Sequence, residues 1–358
     1  MSRPPAVVAF GGGHGLAASL RGLRQAAASV PMDLTAIVTV GDNGGSSGRL
    51  RVERDAQLPP GDLRMALAAL ADEDPLHQRT VALMQHRFDL MGKSERRIAG
   101  DIEDGRRAAE RARAGKPGRS LAATGGGERD PLAGHAVGNL LLLGLMELLG
   151  DPVEALEHAG RMVGAQGRVL PMACHAVGIE ADVRDGDPDR PGATVTVVGQ
   201  HAVAVTTGHV EAVRITPASP PASPPALAAI AEADWLIFGP GSWYTSVLPH
   251  LMVPELAAAI VVSPARRLVT LNLDTDNETA GLSVADHLAA LQWYLPTLRI
   301  DTVLADAKWV GEPEPVRRAA EDLGAHLVLA PLAVADGSPR HDPESLGVAL
   351  VPVLGAAR

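Results

Sequence analysis

The sequence predicts an α/β protein, with a mostly parallel, doubly wound sheet that has helices on both faces and a smaller β-rich lobe. Two observations indicate the large sheet. Short apolar runs of strand length alternate with stretches of helical spacing, and three of these runs end in glycine-rich turns. The lobe is indicated by the stretch 168–216, where the hydrophobic period changes toward two residues.

The first strand-to-helix turn is the strongest candidate for binding an anion. The apolar run 7–10 ends in the turn 11–15, which reads GGGHG, and helical spacing resumes at Leu16. A turn without Cβ atoms lets a phosphate approach backbone N–H groups, and the following helix presents its positive end to the same anion. The predicted phosphate ligands are Gly12, Gly13, His14 and Gly15. A tight connection without a ligand is the alternative.

This turn does not match the common nucleotide motifs. Leu16 occupies the place of the third glycine in the dinucleotide fingerprint, and no Lys-Ser or Lys-Thr pair follows as in a Walker loop. An NAD-dependent oxidoreductase is therefore the weakest of the functions considered.

A second polar turn follows the buried strand predicted at 34–40. Because the carboxyl ends of parallel strands share one edge, this turn is expected beside the first. Its candidate ligand residues are Asp42, Asn43, Ser46, Ser47 and Arg49. Asp42 and Asn43 are candidates to contact ribose, the edge of a base or a magnesium ion. The alternative is that their side chains only stabilise the turn as Asx residues. The two serines are candidates to donate hydrogen bonds to phosphate oxygens. Arg49 is a candidate to bind negative charge that develops on a reacting ligand, and an ordinary surface arginine is the alternative.

The middle of the chain contributes one more candidate ligand and one insertion. Asp62 is placed to cap a helix that continues through Leu70, and Asn139 lies near the start of a later apolar helix. Asn139 is either a crevice residue or an N-cap. Between them, the segment 93–130 is rich in charges and glycine, and we expect a solvated helix over 95–113 followed by loop.

The last part returns to the sheet after a proline-rich connector that ends at 225. The apolar run 235–238 leads into a third glycine turn, with Gly239, Gly241 and Ser242 as candidate ligands. Further strands and helices alternate to the C-terminus. The predicted domain organisation is a nucleotide-binding part over 1–167, a β-rich lobe with its connector over 168–225, and a continuation of the large sheet over 226–358.

Composition restricts the environment and the partners. The 358 residues have a formal net charge of −10, which disfavours nucleic acid and anionic membranes as partners. Cys174 is the single cysteine, which favours a reducing compartment such as the cytoplasm. The sequence leaves no room for a signal peptide before the first strand, and no uncharged run has the length of a membrane span.

The three glycine-rich turns and three other blocks resemble the CofD/YvcK-like family of 2-phospho-L-lactate transferases and gluconeogenesis factors (UPF0052), and most closely its YvcK-like branch. The matching blocks are GGGHG at 11–15, TVGDNGGSSGRL at 39–50, PPGDLR at 59–64, GH at 134–135 with GNLL at 138–141, GPGSWYTSV at 239–247 and SVADH at 283–287. The branch usually has Thr in place of His14 and Asp in place of Asn43.

The resemblance implies a Rossmann-like fold, a cytoplasmic protein and a nucleotide diphosphate ligand. For the YvcK-like branch it implies a UDP-sugar and a role in cell shape, the cell wall and carbon metabolism. For the transferase branch it implies magnesium-aided transfer of a phospholactyl group from a nucleotide diphosphate ester to a deazaflavin alcohol, with Asp42 as the candidate metal ligand. Catalytic residues, turnover and assembly as a homo-oligomer stay open.

Overall fold

The computed structural model describes residues 3–89, 131–187, 189–274, 277–279 and 282–356. The predicted insertion 93–130 and its helix 95–113 lie outside the described residues. Within the described part of the chain, no helix has the length and apolar character needed to cross a membrane.

Ten strands are described. They are β1 (Ala6–Gly11), β2 (Asp33–Val38), β3 (Arg168–Pro171), β4 (Gly178–Arg184), β5 (Thr194–Val198), β6 (His209–Thr216), β7 (Trp235–Phe238), β8 (Arg266–Thr270), β9 (Thr302–Asp306) and β10 (His326–Ala330).

The α-helices of the described residues are α1 (Gly13–Ala27), α2 (Gly45–Arg54), α3 (Pro60–Leu70), α4 (Pro75–Gln85), α5 (Val137–Leu149), α6 (Pro152–Met162), α7 (Gln200–Ala204), α8 (Pro224–Glu232), α9 (Pro249–Met252), α10 (Pro254–Val262), α11 (Val284–Tyr294), α12 (Pro313–Asp322) and α13 (Pro343–Leu354). A π-helical turn covers Trp243–Val247, and a 3₁₀ turn covers Asn277–Thr279.

Seven strands form one sheet in the order β10-β9-β8-β7-β1-β2-β3. Every neighbouring pair is parallel. The sheet confirms the predicted α/β class, and its order makes β1 a direct neighbour of both β2 and β7. The three glycine-rich turns therefore leave the sheet from adjacent strands at the same edge.

The smaller sheet is antiparallel and has the order β5-β4-β6. It differs from the expectation at its start, because β3 pairs in parallel with β2 and belongs to the large sheet. The last three residues of β3 are buried in succession, as in a covered parallel strand. The four-residue run is too short for its hydrophobic pattern to distinguish these two placements.

Aromatic packing fixes β1 against β7 beneath the glycine turns. Phe10 and Phe238 stack with ring centroids 4.7 Å apart and an interplanar angle of 7°. His250 lies edge-on to Phe10, and its Nε2 is 3.1 Å from the carbonyl oxygen of Ile37. Burial lowers the pKa of His250 to about 4, so this histidine is a neutral core residue.

Candidate functional site

A cavity of about 620 Å³ opens at the carboxyl edge of the large sheet. The turns after β1, β2, β7 and β8 line it, together with α7 and residues from the segment 334–343. Ligand crevices of open α/β sheets occur at this edge. The predicted site residues that line the cavity are Gly12, Gly13, His14, Gly15, Asp42, Gly241 and Ser242.

The turn after β1 is shaped by close backbone packing. A Cβ on Gly15 would overlap the carbonyl oxygen of Pro240 and lie 2.5 Å from the Cα of Gly241. A Cβ on Gly12 would lie 2.5 Å from Oδ2 of Asp62. Distances this short do not occur for real Cβ atoms, so a larger residue at position 15 would push the turn after β7 away, and one at position 12 would displace the Asp62 side chain.

The first turn of α1 directs donors into the cavity. The first intrahelical bond of this turn runs from the Leu16 N–H to the Gly12 carbonyl at 3.2 Å. The N–H groups of His14 and Gly15 precede it and have no carbonyl within the helix to reach. The Gly13 N–H donates to Asp62. Two backbone donors and the positive end of a 15-residue helix thus face the same space.

Asp42 and Asp62 place two carboxylates beside these donors, and both line the cavity. Oδ1 of Asp42 accepts from the Gly44 N–H at 2.9 Å. Asp62 is only 8% exposed, and its Oδ2 is buried without a hydrogen-bond partner. Burial and the charge of Asp42 raise the pKa of Asp62 to about 7, although the Gly13 N–H and Arg64 oppose the shift.

The turn after β7 is held by an amide side chain from the next strand. The Gly241 N–H donates to Oδ1 of Asn272 at 2.9 Å, and Nδ2 of Asn272 donates back to the Gly241 carbonyl at 2.9 Å. The Gly241 N–H is therefore engaged within the protein. Gly239 lies below the cavity lining at φ +72°, where a Cβ would be 2.7 Å from the Thr270 carbonyl oxygen.

Four of the other predicted ligands do not line the cavity themselves, and their side chains bond to other parts of the protein. Asn43 is exposed, and its Oδ1 accepts from the His201 N–H at 2.8 Å. Oγ of Ser47 accepts from the Gly61 N–H at 3.0 Å. Arg49 donates to the carbonyl oxygens of Ala133 at 2.6 Å and Pro131 at 3.0 Å.

The fourth, Ser46, belongs to a buried chain of polar side chains together with Asn139. Nε of Arg64 donates to Oδ1 of Asn139 at 2.8 Å, and Nδ2 of Asn139 donates to Oγ of Ser46 at 3.0 Å. Oγ of Ser46 also lies 2.9 Å from Nδ1 of His135. Helices α2, α3 and α5 are joined by this chain behind the carboxylates. A direct ligand role for Asn43, Ser46, Ser47, Arg49, Asn139 and Gly239 stays a prediction.

Sequence reasoning missed several residues of the cavity. Asp62 was expected as a helix cap, but the N-cap of α3 is Pro59, and the Asp62 side chain points at the glycine turn. Asn272 follows a buried strand, and its position at the sheet edge could have identified it. Gln200 lies on a five-residue helix, and His341 lies in a loop. Neither position carries a motif.

Two histidines of the described residues have buried ring nitrogens without a hydrogen-bond partner. His287 is fully buried and stacks on Trp243 with ring centroids 5.2 Å apart, yet neither ring nitrogen has a hydrogen-bond partner. His341 interacts with the Leu271 backbone, while its Nε2 is buried without a partner. Burial lowers the pKa of each to about 4, so both rings are neutral at pH 7.

We expect Asp62→Asn to stabilise the fold at pH 8 and to have little effect near pH 4. The unfolded carboxyl loses its proton near pH 3.8, whereas the folded one keeps it up to about pH 7. The folded state therefore binds more protons across this window, and the contribution of Asp62 to stability falls as pH rises through it. The full effect is at most about 4 kcal/mol, from 1.36 kcal/mol per pKa unit.

Urea denaturation of the wild type and the variant between pH 4 and pH 8 measures this difference. The control is Asp322→Asn, which changes an exposed carboxylate on α12. A stability difference for Asp62→Asn that stays constant across the range would show that the carboxyl does not titrate there.

Comparison with known proteins agrees with the geometry. The family model described as 2-phospho-L-lactate transferase CofD matches residues 7–328. A Mycobacterium tuberculosis relative is 43% identical over 348 residues, which is 96% of this chain and 89% of the relative. The gluconeogenesis factor of Bacillus subtilis is 34% identical over 322 residues, covering 90% of this chain and 84% of that protein.

A solved structure shows the same architecture. The crystal structure of a UPF0052 family member from Bacillus halodurans superposes with a TM-score of 0.75 at 29% identity, and the match covers 98% of this chain and 100% of that one. The family model and the relatives cover nearly all of the chain, including each of the three glycine turns. The chain therefore belongs to the CofD family and, within it, is similar to the YvcK-like gluconeogenesis factors.

Proposed function

We propose that this protein is a cytoplasmic, YvcK-like regulatory protein that binds a UDP-sugar in the cavity, with a role in cell shape, the cell wall and carbon metabolism. One observation carries the binding proposal. The turns after β1, β2 and β7 line a single cavity, in which the helix α1 directs its unpaired first-turn N–H groups at the same space. A diphosphate satisfies such donors and the positive end of the helix together.

The size and lining of the cavity support a ligand larger than a phosphate. Its volume of about 620 Å³ falls in the range of small-molecule sites. Arg21 and Arg340 also line it, so arginine side chains lie beyond the glycine turn, with Arg340 held in an ion pair to Asp336. The biological role comes from the relatives named gluconeogenesis factors, since the cavity itself does not specify a pathway.

A second candidate is favoured by the paired carboxylates. Among the described residues, no group of three or more His, Cys, Asp or Glu side chains is placed to hold a metal ion. Mg²⁺, however, is commonly held by one or two carboxylates together with substrate phosphates. Asp42 and the unpartnered Oδ2 of Asp62 fit that donor set, and the ion would neutralise charge on the phosphates. This arrangement suits a transferase that moves a phospholactyl group to a deazaflavin alcohol.

We expect the wild type to bind UDP-N-acetylglucosamine saturably, and Gly13→Val to weaken that binding at least about tenfold by filling the space beside the donors. Isothermal titration calorimetry measures both affinities. The matched control is Gly192→Val. Gly13 and Gly192 both have positive φ, at +56° and +79°, and a Cβ would meet only Asp62 Oδ1 at 3.9 Å in the first case and nothing within 4 Å in the second, but Gly192 lies in the β4–β5 turn outside the cavity lining. Equal affinities for all three proteins would place the ligand elsewhere.

A turnover assay separates the two candidates. The protein is incubated with a phospholactyl nucleotide diphosphate ester, a deazaflavin alcohol and Mg²⁺, and mass spectrometry follows the deazaflavin. Under the leading proposal, we expect no product. If the wild type forms product at a catalytic rate and Asp42→Asn does not, the protein is a transferase and the leading proposal is wrong.

A further inference from the structure

The cavity has two ends of different chemistry. The turns after β1 and β7 occupy its middle, because these strands are neighbours in the sheet. On the β8 side, the apolar side chains of Leu273, Val334 and Pro339 line the cavity beside Arg340 and the neutral His341. On the β2 side, the lining is polar and includes Asp42, Asp62 and His201, whose N–H donates to Asn43, while Gln200 on the same helix α7 extends toward the turn after β7.

This asymmetry orients a nucleotide diphosphate bound to the glycine turn. A base offers flat, largely apolar faces, which suit the β8 side. The carboxylates on the β2 side repel further phosphates but accept hydrogen bonds from hydroxyl groups. The group attached to the terminal phosphate therefore belongs on the β2 side, beneath α7.

Helix α7 is fixed above this end by contacts to three parts of the chain. The Gly199 N–H donates to the Ile179 carbonyl at 2.7 Å, and the His201 N–H donates to Oδ1 of Asn43 at 2.8 Å. Nε2 of Gln200 lies 3.5 Å from the Thr245 carbonyl oxygen. The side-chain amide of Gln200 is thereby held across the roof of the cavity.

The other atom of this amide has no partner. Oε1 of Gln200 is buried and accepts no hydrogen bond, although the residue lines the cavity. A buried carbonyl oxygen without a donor is unfavourable, and a ligand O–H or N–H that reaches it recovers the lost interaction. The neighbouring groups Asp42 and Asp62 present acceptors as well, so this end of the cavity is built to receive donors.

We propose that Gln200 is the specificity-determining residue for the group attached to the terminal phosphate, and that this group is a polyhydroxyl or N-acylated sugar that donates to Oε1. The inference rests on the proposed function, since it takes the diphosphate to lie on the glycine turn. It adds the direction in which the ligand lies and the side chain that distinguishes a nucleotide sugar from the bare nucleotide.

The test compares the dissociation constants of UDP and UDP-N-acetylglucosamine by isothermal titration calorimetry. The wild type is expected to bind the sugar conjugate more tightly than UDP. Gln200→Met keeps the length of the side chain but removes the acceptor, and we expect it to weaken binding of the conjugate about tenfold. The UDP affinity of this variant should stay within about twofold of the wild type.

Two further variants make the comparison decisive. Gln200→Asn keeps the amide on a shorter side chain and should show the same selective loss. Gln85→Met is the same glutamine-to-methionine change at an exposed position on α4, outside the cavity lining. It should leave both affinities unchanged. Thermal unfolding of each variant establishes that it is folded.

The remaining outcomes contradict the inference in distinguishable ways. Equal losses for UDP and the conjugate in Gln200→Met would show that Gln200 acts on the nucleotide or on the fold. Unchanged affinities would show that it does not contact the sugar. A wild type that binds neither compound would overturn the proposed function together with this inference.

Discussion

The site depends on the contact between two backbone turns at Gly15. The parallel pairing of β1 with β7 brings both turns to one edge, and the absence of a Cβ lets the Gly15 backbone touch Pro240 and Gly241. Asn272 then holds the second turn through two side-chain hydrogen bonds to the Gly241 backbone, so the turn against which Gly15 packs is itself fixed to the segment that follows β8.

The carboxylate end of the cavity is maintained by buried polar groups behind it. Arg64 is only 4% exposed and donates to the neutral Asn139, which donates to Ser46, and Oγ of Ser46 lies beside Nδ1 of His135. Burial lowers the pKa of Arg64 to about 10, which leaves it charged at neutral pH. Its charge partly offsets the repulsion between Asp42 and Asp62, so a pair of acids can be kept next to anion-binding donors. Cation binding or protonation would relieve the remaining repulsion.

The large sheet and the meeting of the glycine turns could be predicted because hydrophobic period and glycine position are local properties. The cavity walls could not. Asp62 was assigned to a cap because a polar residue in a first helical turn is usually satisfied by that helix, whereas here the helix is rotated to bury the side chain against Gly12. Gln200 reaches the site only because α7 crosses from the smaller sheet, and His341 only because its loop folds back over β8. Contacts between residues this far apart in the chain produce no hydrophobic periodicity from which they could be predicted.

A structure of the complex with UDP-N-acetylglucosamine would show where the diphosphate binds. We expect the diphosphate within hydrogen-bonding distance, about 2.7–3.2 Å, of the N–H groups of His14 and Gly15. We also expect the base on the β8 side and the sugar beneath α7. A diphosphate bound away from these N–H groups, or the reverse orientation of the nucleotide, would contradict the proposed binding mode.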